Sequence, residues 1–180
     1  MSIHFGPFVV TKQVFYKSTH SFALVNLKPL LPGHVMVCPF RVVPRIADLT
    51  VEEVADLFVT VQRVSSVIAD VYKGQSLNIA VQDGPLAGQS VPHVHCHVIP
   101  RKLNDLPNVD DVYTLMNSRE ADIELSFQQL KAAHQAGGGA LAGPDLKDTD
   151  RLPRTEREMW DEADMLRSKM ATAGPVKAVL

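Results

Sequence analysis

The stretch HVHCHVI at residues 93–99 follows a period of two, with His93, His95 and His97 alternating with Val94, Cys96 and Val98. Successive side chains of a strand point to opposite faces, so the pattern describes a strand with one apolar and one imidazole face. Such a strand needs a sheet to pair with and a core for its apolar side, and it leaves the imidazoles on an accessible face. SFALVN (21–26), HVMVCPF (34–40) and SLNIAVQD (76–83) are further strand candidates, bounded by turn formers such as Lys28-Pro29, Pro32-Gly33, Gly74 and Gly84-Pro85. By the same phase rule Val35, Val37, Leu77, Ile79 and Val81 face the core. Leu24 with Asn26, His34 with Met36, and Asn78 with Gln82 share the other side. One sheet face is therefore expected to form a polar cleft with an apolar lip. An earlier hairpin is expected between FVVT and VFYK, on either side of Lys12 and Gln13.

The segment TVEEVADLFVTVQRVSSVIADVYKG, residues 50–74, separates the second of these strands from the third. Val54, Leu57, Phe58, Val61, Val64, Ile68 and Val71 recur at helical spacing, Thr50 with Glu53 forms a capping box, and Lys73-Gly74 supplies a stop. Its valine content suits a strand, but length and caps outweigh propensity. A second helix is expected at residues 155–172, opened by Thr155 with Glu158 and carrying Met159, Ala163, Leu166 and Met170 as a stripe that docks on the domain. QAGGGALAGPDLK, residues 135–147, is Gly- and Ala-rich and reads as a mobile loop. The organisation expected is a catalytic domain over 1–127, a Gly/Ala-rich insertion over 128–154 and the docking helix. Strands grouped around one long helix, without regular βαβ alternation, give an α+β class with a mainly antiparallel sheet. No G-x-G-x-x-G or Walker spacing follows a strand, so the usual nucleotide folds find no support.

A chain of 180 residues, 46% hydrophobic, suffices for one domain with a substantial core. Its 18 basic and 20 acidic residues leave a formal charge of −2, which implies no general attraction to nucleic acid or to an anionic membrane. Cys38 and Cys96 stand in apolar runs and do not resemble a disulfide framework, so a reducing compartment is expected. MSIHFGPFVV has no basic region leading into a long apolar stretch, and no run approaches membrane-spanning length. The expectation is a soluble protein of the cytoplasm, with the nucleus also open to it.

Three readings compete for the imidazoles. As metal ligands, His93 and His97 would have Cα atoms roughly 13 Å apart at about 3.3 Å per strand residue, too far to converge on one ion. A two-histidine site would need a third ligand such as His34. As incidental polar residues they would repel whenever protonated, and three in phase need a reason. As catalysts, a neutral imidazole is a good nucleophile if its other nitrogen donates to a fixed acceptor. Attack on phosphorus also needs donors for the phosphoryl oxygens, and Gly88, Gln89 and Ser90 offer a turn with backbone N–H groups, an amide and a hydroxyl just before the strand.

HVHCHVI fits the H-φ-H-φ-H-φ-φ signature and resembles the histidine triad (HIT) superfamily. FALVNLKPLLPGHVMVCPFRVVPRIADLT, VEEVADLF and VQDGPLAGQSVPHVHCHVIPRK resemble its fragile histidine triad branch, the dinucleoside polyphosphate hydrolases, over roughly residues 2–117. PRK after the triad suits that branch, whereas the phosphoramidase branch continues with Gly-Gly-Arg. RTEREMWDEADMLR resembles the family's last helix, and the Gly-rich stretch before it reads as an insertion.

The resemblance implies a HIT-like fold and hydrolysis of dinucleoside polyphosphates, diadenosine triphosphate above all, to AMP and ADP. It makes His95 the nucleophile that becomes nucleotidylated, His97 the contact to phosphate and leaving oxygen, and His93 the residue that orients the triad. Gln82, Gln89 and Ser90, with Gly88 and Val91 in the same stretch, match positions that hold the phosphates. Asn26 matches a ribose contact, Leu24, Met36 and Phe5 the adenine pocket, and His34 a histidine beside the triad. Leu24 and Met36 read equally well as ordinary core. A magnesium or manganese ion would accompany the substrate with no tightly bound protein metal, and the chain would form a homodimer through the long helix and triad-side strands. A phosphoramidase or adenylyl transferase using the same His95, or a nucleotide-binding signalling protein, are the alternatives.

Overall fold

The computed structural model describes residues 1–116 and 153–174. Its strands are β1 (His4–Phe5), β2 (Phe8–Val9), β3 (Val14–Lys17), β4 (Ser21–Val25), β5 (Val35–Pro39), β6 (Ser76–Val81) and β7 (Cys96–Arg101), with helices α1 (Val51–Tyr72) and α2 (Glu156–Thr172). Five of the strands form one antiparallel sheet in the order β3-β4-β5-β7-β6, and β1 pairs with β2 in a separate hairpin. Residues 111–116 are also helical. The class is α+β with antiparallel sheets, as the grouping of strands about one long helix implies.

The register lays the strand side chains in rows across the sheet. Ala23, Val37, Cys96 and Val81 form one row and Val25, Val35, Val98 and Ile79 the next, all on one face. Leu24, Met36, His97 and Ala80 form a row on the opposite face. The expected phase thus holds across four strands. Leu57, Val61, Val64 and Ile68 of α1 are buried and join the cluster containing the apolar rows. Thr50 and Glu53 close the predicted capping box, and Glu53 also takes the Arg41 guanidinium through bonds of 2.9 and 2.6 Å. The helix entry is therefore tied to the loop leaving β5.

α2 begins with Thr155 at its cap, and its Met159, Ala163, Leu166 and Met170 are all buried in the same cluster. The two methionines and the leucine each contribute about 1.5–3 kcal/mol by leaving water. Arg167 adds a 2.8 Å bond to the Val14 carbonyl, and the Lys12 ammonium sits 3.8 Å over the Trp160 ring. The expected insertion over 128–154 lies outside the described residues up to 152, as does the end of the expected first unit from 117.

Four expectations are corrected. FVVT and VFYK do not pair with each other: Gly6, at φ +54°, turns the chain early, Phe5 pairs with Phe8, and Thr11–Gln13 is a 3-10 turn between separate pairings. The triad strand starts at Cys96, so His93 to His95 precede it. Ile79 has the core phase but is 49% exposed, because β6 is the sheet's edge. Phe58 is also exposed, one residue off the stripe set by Leu57, Val61, Val64 and Ile68.

Gly33 carries a tight turn into β5. Its φ is +85°, and a Cβ there would lie 2.5 Å from the Tyr72 ring and 2.9 Å from Pro100. Gly33→Ala is expected to destabilise the fold by about 1–3 kcal/mol through backbone strain and overlap. The measurement is the urea midpoint at unchanged slope; an unshifted midpoint would refute this packing.

Candidate active site

His93 is completely buried, and its ring is tied at both nitrogens. The Gly6 N–H donates to Nδ1 at 3.0 Å, which leaves the ring proton on Nε2, from where it is donated to the Pro39 carbonyl at 2.9 Å. The imidazole thus staples the β1–β2 hairpin to the end of β5. Burial is the main reason its pKa falls from 6.5 to about 4, with the nearby His95 acting in the same direction against the bond to Pro39. A ring so engaged is neither a metal ligand nor an acid at neutral pH. Its backbone N–H is held by Val91 at 2.7 Å, and the next amide, of Val94, by Val43 at 2.8 Å.

This anchored stretch aims the His93 carbonyl at His95 Nδ1, 2.7 Å away. A carbonyl only accepts, so Nδ1 carries the proton and the lone pair of His95 is on Nε2. Phe5 packs edge-on against this ring with centroids 5.1 Å apart, and also against His93 at 5.6 Å. The imidazole is therefore held both in orientation and in tautomer.

The same reasoning assigns His34 and His97. Leu30 N–H donates to His34 Nδ1 at 3.0 Å, so the His34 proton is on Nε2. His34 Nε2 lies 2.9 Å from His97 Nδ1, which must accept, and the His97 proton is left on Nε2. One backbone amide thus polarises two imidazoles in series. The Asn26 amide nitrogen lies 3.4 Å from His34 Nε2, but that nitrogen already donates to His97, so this is a packing contact. The His95 and His97 rings meet edge-on with centroids 5.0 Å apart.

The remaining residues named from the sequence lie in or beside β4 and β5, in the β1–β2 hairpin and in the connection between β6 and β7. The three triad histidines were expected on an accessible face; all are at most 2% exposed. Leu24 and Met36 are buried beside His97 in its cross-strand row, and Phe5 is buried against the triad rings. Asn26 is buried, and its Oδ1 accepts the Lys28 N–H at 3.0 Å, a local turn that engages the amide expected to meet a ribose. The N–H groups of Gly88 and Gln89 were expected to face a phosphate. They close the turn on Pro85 and Gly84, at 3.0 and 3.2 Å. The Gln89 side chain donates to the Pro44 carbonyl at 2.8 Å. Gln82 and Val91 are buried and Ser90 is half-buried in the connection between β6 and β7.

Sequence reasoning missed Arg45. Its guanidinium packs on Gly84 and pairs with Asp83 at 3.1 Å, while Asp83 also accepts the Ile46 N–H at 2.8 Å. These bonds, with Gln89 to Pro44, clamp the 83–90 turn onto the loop after β5. The bond to Ile46 is the main cause that holds the Asp83 carboxyl below its usual range. No local signal marks it, since Arg45 and Asp83 stand 38 residues apart in the chain. Among the described residues, no group of three or more His, Cys, Asp or Glu side chains is arranged to hold a metal ion.

An antiparallel α+β domain whose inner strand opens on three imidazoles, each with an assigned proton, defines a histidine-triad site. The chain belongs to the HIT domain family, whose model matches residues 8–104. It is 44% identical over 168 residues to the bifunctional bis(5'-adenosyl)-triphosphatase/adenylylsulfatase FHIT of Arabidopsis thaliana, covering 93% of this chain and 83% of that relative. It is 45% identical to the asymmetrical bis(5'-nucleosyl)-tetraphosphatase of Schizosaccharomyces pombe, covering 92% of each. Among solved structures it is similar to the C. elegans NitFhit protein, with a TM-score of 0.65 and 32% identity over 93% of this chain, which spans 30% of that longer one.

The buried His93 sets a pH dependence. A histidine whose folded pKa is depressed stabilises the fold fully above its unfolded value near 6.5, and that stability is lost as pH falls through about 4. Glu53, held near 2 chiefly by its bond to Arg41, acts only below its ordinary 4.5. Unfolding free energy should therefore fall by about 2–3 kcal/mol between pH 6.5 and 4. Denaturant titrations across that window test it: His93→Gln should flatten the slope, and an unchanged slope would show that His93 is not the group responsible.

Proposed function

We propose that the protein hydrolyses dinucleoside polyphosphates, with diadenosine triphosphate the preferred substrate and AMP and ADP the products, through a nucleotidyl group on His95. The observation that carries this reading is the bond from His95 Nδ1 to the His93 carbonyl, which puts the nucleophilic lone pair on Nε2. The two curated relatives carry names of enzymes that cleave nucleoside phosphoanhydrides, which supports the substrate class.

In the first step His95 Nε2 attacks the α-phosphorus, forming the N–P bond as the bridging P–O bond breaks. The His97 Nε2–H donates a hydrogen bond to the departing oxygen and stabilises the charge gathering there, so ADP leaves as its anion and the neutral ring keeps its proton while His34 donates to its Nδ1. The first step leaves His95 as an N-phosphorylated imidazolium. In the second step water attacks phosphorus and breaks the N–P bond to give AMP, which returns His95 to its neutral Nδ1–H form; one water proton stays on AMP and the other is released to solvent. Dividing the displacement gives each half a positioned nucleophile. The substrate enters as its magnesium or manganese complex, the ion riding on the phosphates. We further propose a homodimer: Ile79 on the edge strand and Phe58 and Val59 on α1 leave apolar surface exposed that a second copy would cover. Phe58→Glu with Ile79→Lys should halve the mass seen by sedimentation; a wild-type monomer would refute it.

His95→Asn should retain the fold and nucleotide binding but lose at least about a thousandfold in turnover, since asparagine keeps volume without the nucleophilic nitrogen. Hydrolysis in oxygen-18 water should label AMP and leave ADP unlabelled. Label chiefly in ADP would mean that water attacks another phosphorus, and a nearly active His95→Asn would remove the nucleophile assignment.

A further inference from the structure

The segment from Asn26 to His34 supplies both the Leu30 N–H that sets the His34 tautomer and the His34 ring that polarises His97. It runs from the end of β4 to the start of β5 and makes few ladder bonds of its own, so something else must hold its shape. Two groups do. At its first end, Arg154 donates from Nε to the Asn26 carbonyl at 3.1 Å and from Nη2 to the same oxygen, while the Arg154 backbone N–H donates to the Leu27 carbonyl at 3.1 Å. At its far end Gly33 lies flat against the Tyr72 ring, with no room for a Cβ between them.

The two ends meet at one carboxylate. Glu162 of α2 receives Arg154 Nη1 on one oxygen and the Tyr72 hydroxyl on the other, each at 2.5 Å. Arg154 and Glu162 are mostly buried, with 18% and 14% of their side chains exposed, so the pair is shielded from solvent screening. Tyr72 is raised well above its ordinary pKa, chiefly by burial and next by the bond to Glu162, and remains a donor at any working pH. Arg154, just before the α2 cap, Glu162 of α2 and Tyr72 of α1 thus form a clamp. It closes on the segment that carries His34.

We infer that Arg154 is a positioning residue for the proton-carrying pair His34 and His97, acting through the Asn26–His34 segment and, with Glu162, through Tyr72. The kinetic consequence rests on the hydrolase reading above; the structural consequence does not. Without the fork, the Asn26 carbonyl loses its guanidinium partner, Glu162 loses the arginine that orients its carboxylate toward Tyr72, and the Leu30 N–H is no longer held on His34 Nδ1. His34 can then exchange tautomers, and His97 loses the bond that keeps its proton on Nε2.

The test compares Arg154→Ala and Arg154→Lys with Arg167→Ala, which removes an arginine-to-carbonyl bond made from α2 to Val14 and not to this segment. Tyr72→Phe, which keeps the ring against Gly33, serves as the milder variant if Arg154→Ala fails to fold. Nitrogen-15 NMR of the imidazoles reads the tautomers directly. Arg154→Ala and Tyr72→Phe should shift the His34 and His97 signals and leave those of His93 in place, while Arg167→Ala should move none of them.

Turnover is then measured on diadenosine triphosphate. Arg154→Ala should lower kcat by about tenfold or more with little change in KM. Arg154→Lys should recover part of the loss. Equal losses in Arg167→Ala, or unchanged His34 and His97 signals, would each overturn the inference. A wild-type protein that does not cleave diadenosine triphosphate would sink the hydrolase reading alone, leaving the NMR comparison to decide the role of Arg154.

Discussion

Imidazoles packed about 5 Å apart and sealed from water cannot all charge together, and the architecture around His34, His93, His95 and His97 answers that constraint. A neutral imidazole must place its one proton on one nitrogen. Backbone groups make every such choice. The Gly6 amide and Pro39 carbonyl decide His93, the His93 carbonyl decides His95, and the Leu30 amide decides His34 and through it His97. The arrangement leaves a lone pair on His95 and a proton on the neighbouring ring, the complementary pair a displacement at phosphorus needs.

Such assignments hold only while the backbone groups remain in place to within a few tenths of an ångström, and the fold is arranged to that end. β7 lies inside the sheet between β5 and β6, so His97 is flanked by Met36 and Ala80. The helices cover the other face. α1 is fixed at its start by the Thr50 and Glu53 caps and the Arg41 pair, and α2 by its buried methionine and leucine stripe. The loops that present the peptide groups are each tied to something rigid: 83–90 to the loop after β5, 91–94 to Val43 and Gly6, and 26–34 to α2 and Tyr72.

How much of this is legible in the sequence depends on the range of the signal. Periods of two and of 3.6 are local, so strand phases, the α1 caps and the Met159-Ala163-Leu166-Met170 stripe are read directly. The hairpin fails because Gly6 makes its turn two residues before Phe8, and Ile79 fails because alternation reports phase and says nothing of position in the sheet. The expected site residues come from one motif and its neighbours, and the fold puts His34, Met36, Leu24 and Phe5 about the triad. Their partners are less legible. Pro39, Leu30, Pro44 and His93 act through main-chain atoms, which no residue name encodes, and Arg154 reaches Asn26 across a separation of 128 residues. The amides of Asn26 and Gln89, expected as ligand contacts, also bond within the chain, Asn26 Oδ1 accepting the Lys28 N–H and Gln89 Nε2 donating to the Pro44 carbonyl.

The displacement of the triad strand has a functional meaning. Had β7 begun at His93, as alternation suggests, the peptides of residues 93 to 95 would have entered the ladder with β5 and β6, and their geometry would have been set by sheet pairing. Instead the ladder stops at Cys96 opposite Val37 and Val81, and the chain just before it folds back. The His93 N–H turns to Val91 and its carbonyl to the His95 ring two residues on. Alternation places His97 within the sheet, where a neighbouring strand can deliver His34 to it. The loss of alternation places His95 at the sheet's end, where a peptide carbonyl can reach its ring. The motif is therefore a junction in which one histidine staples the loop, one gains its lone pair from the loop, and one keeps its proton through the sheet.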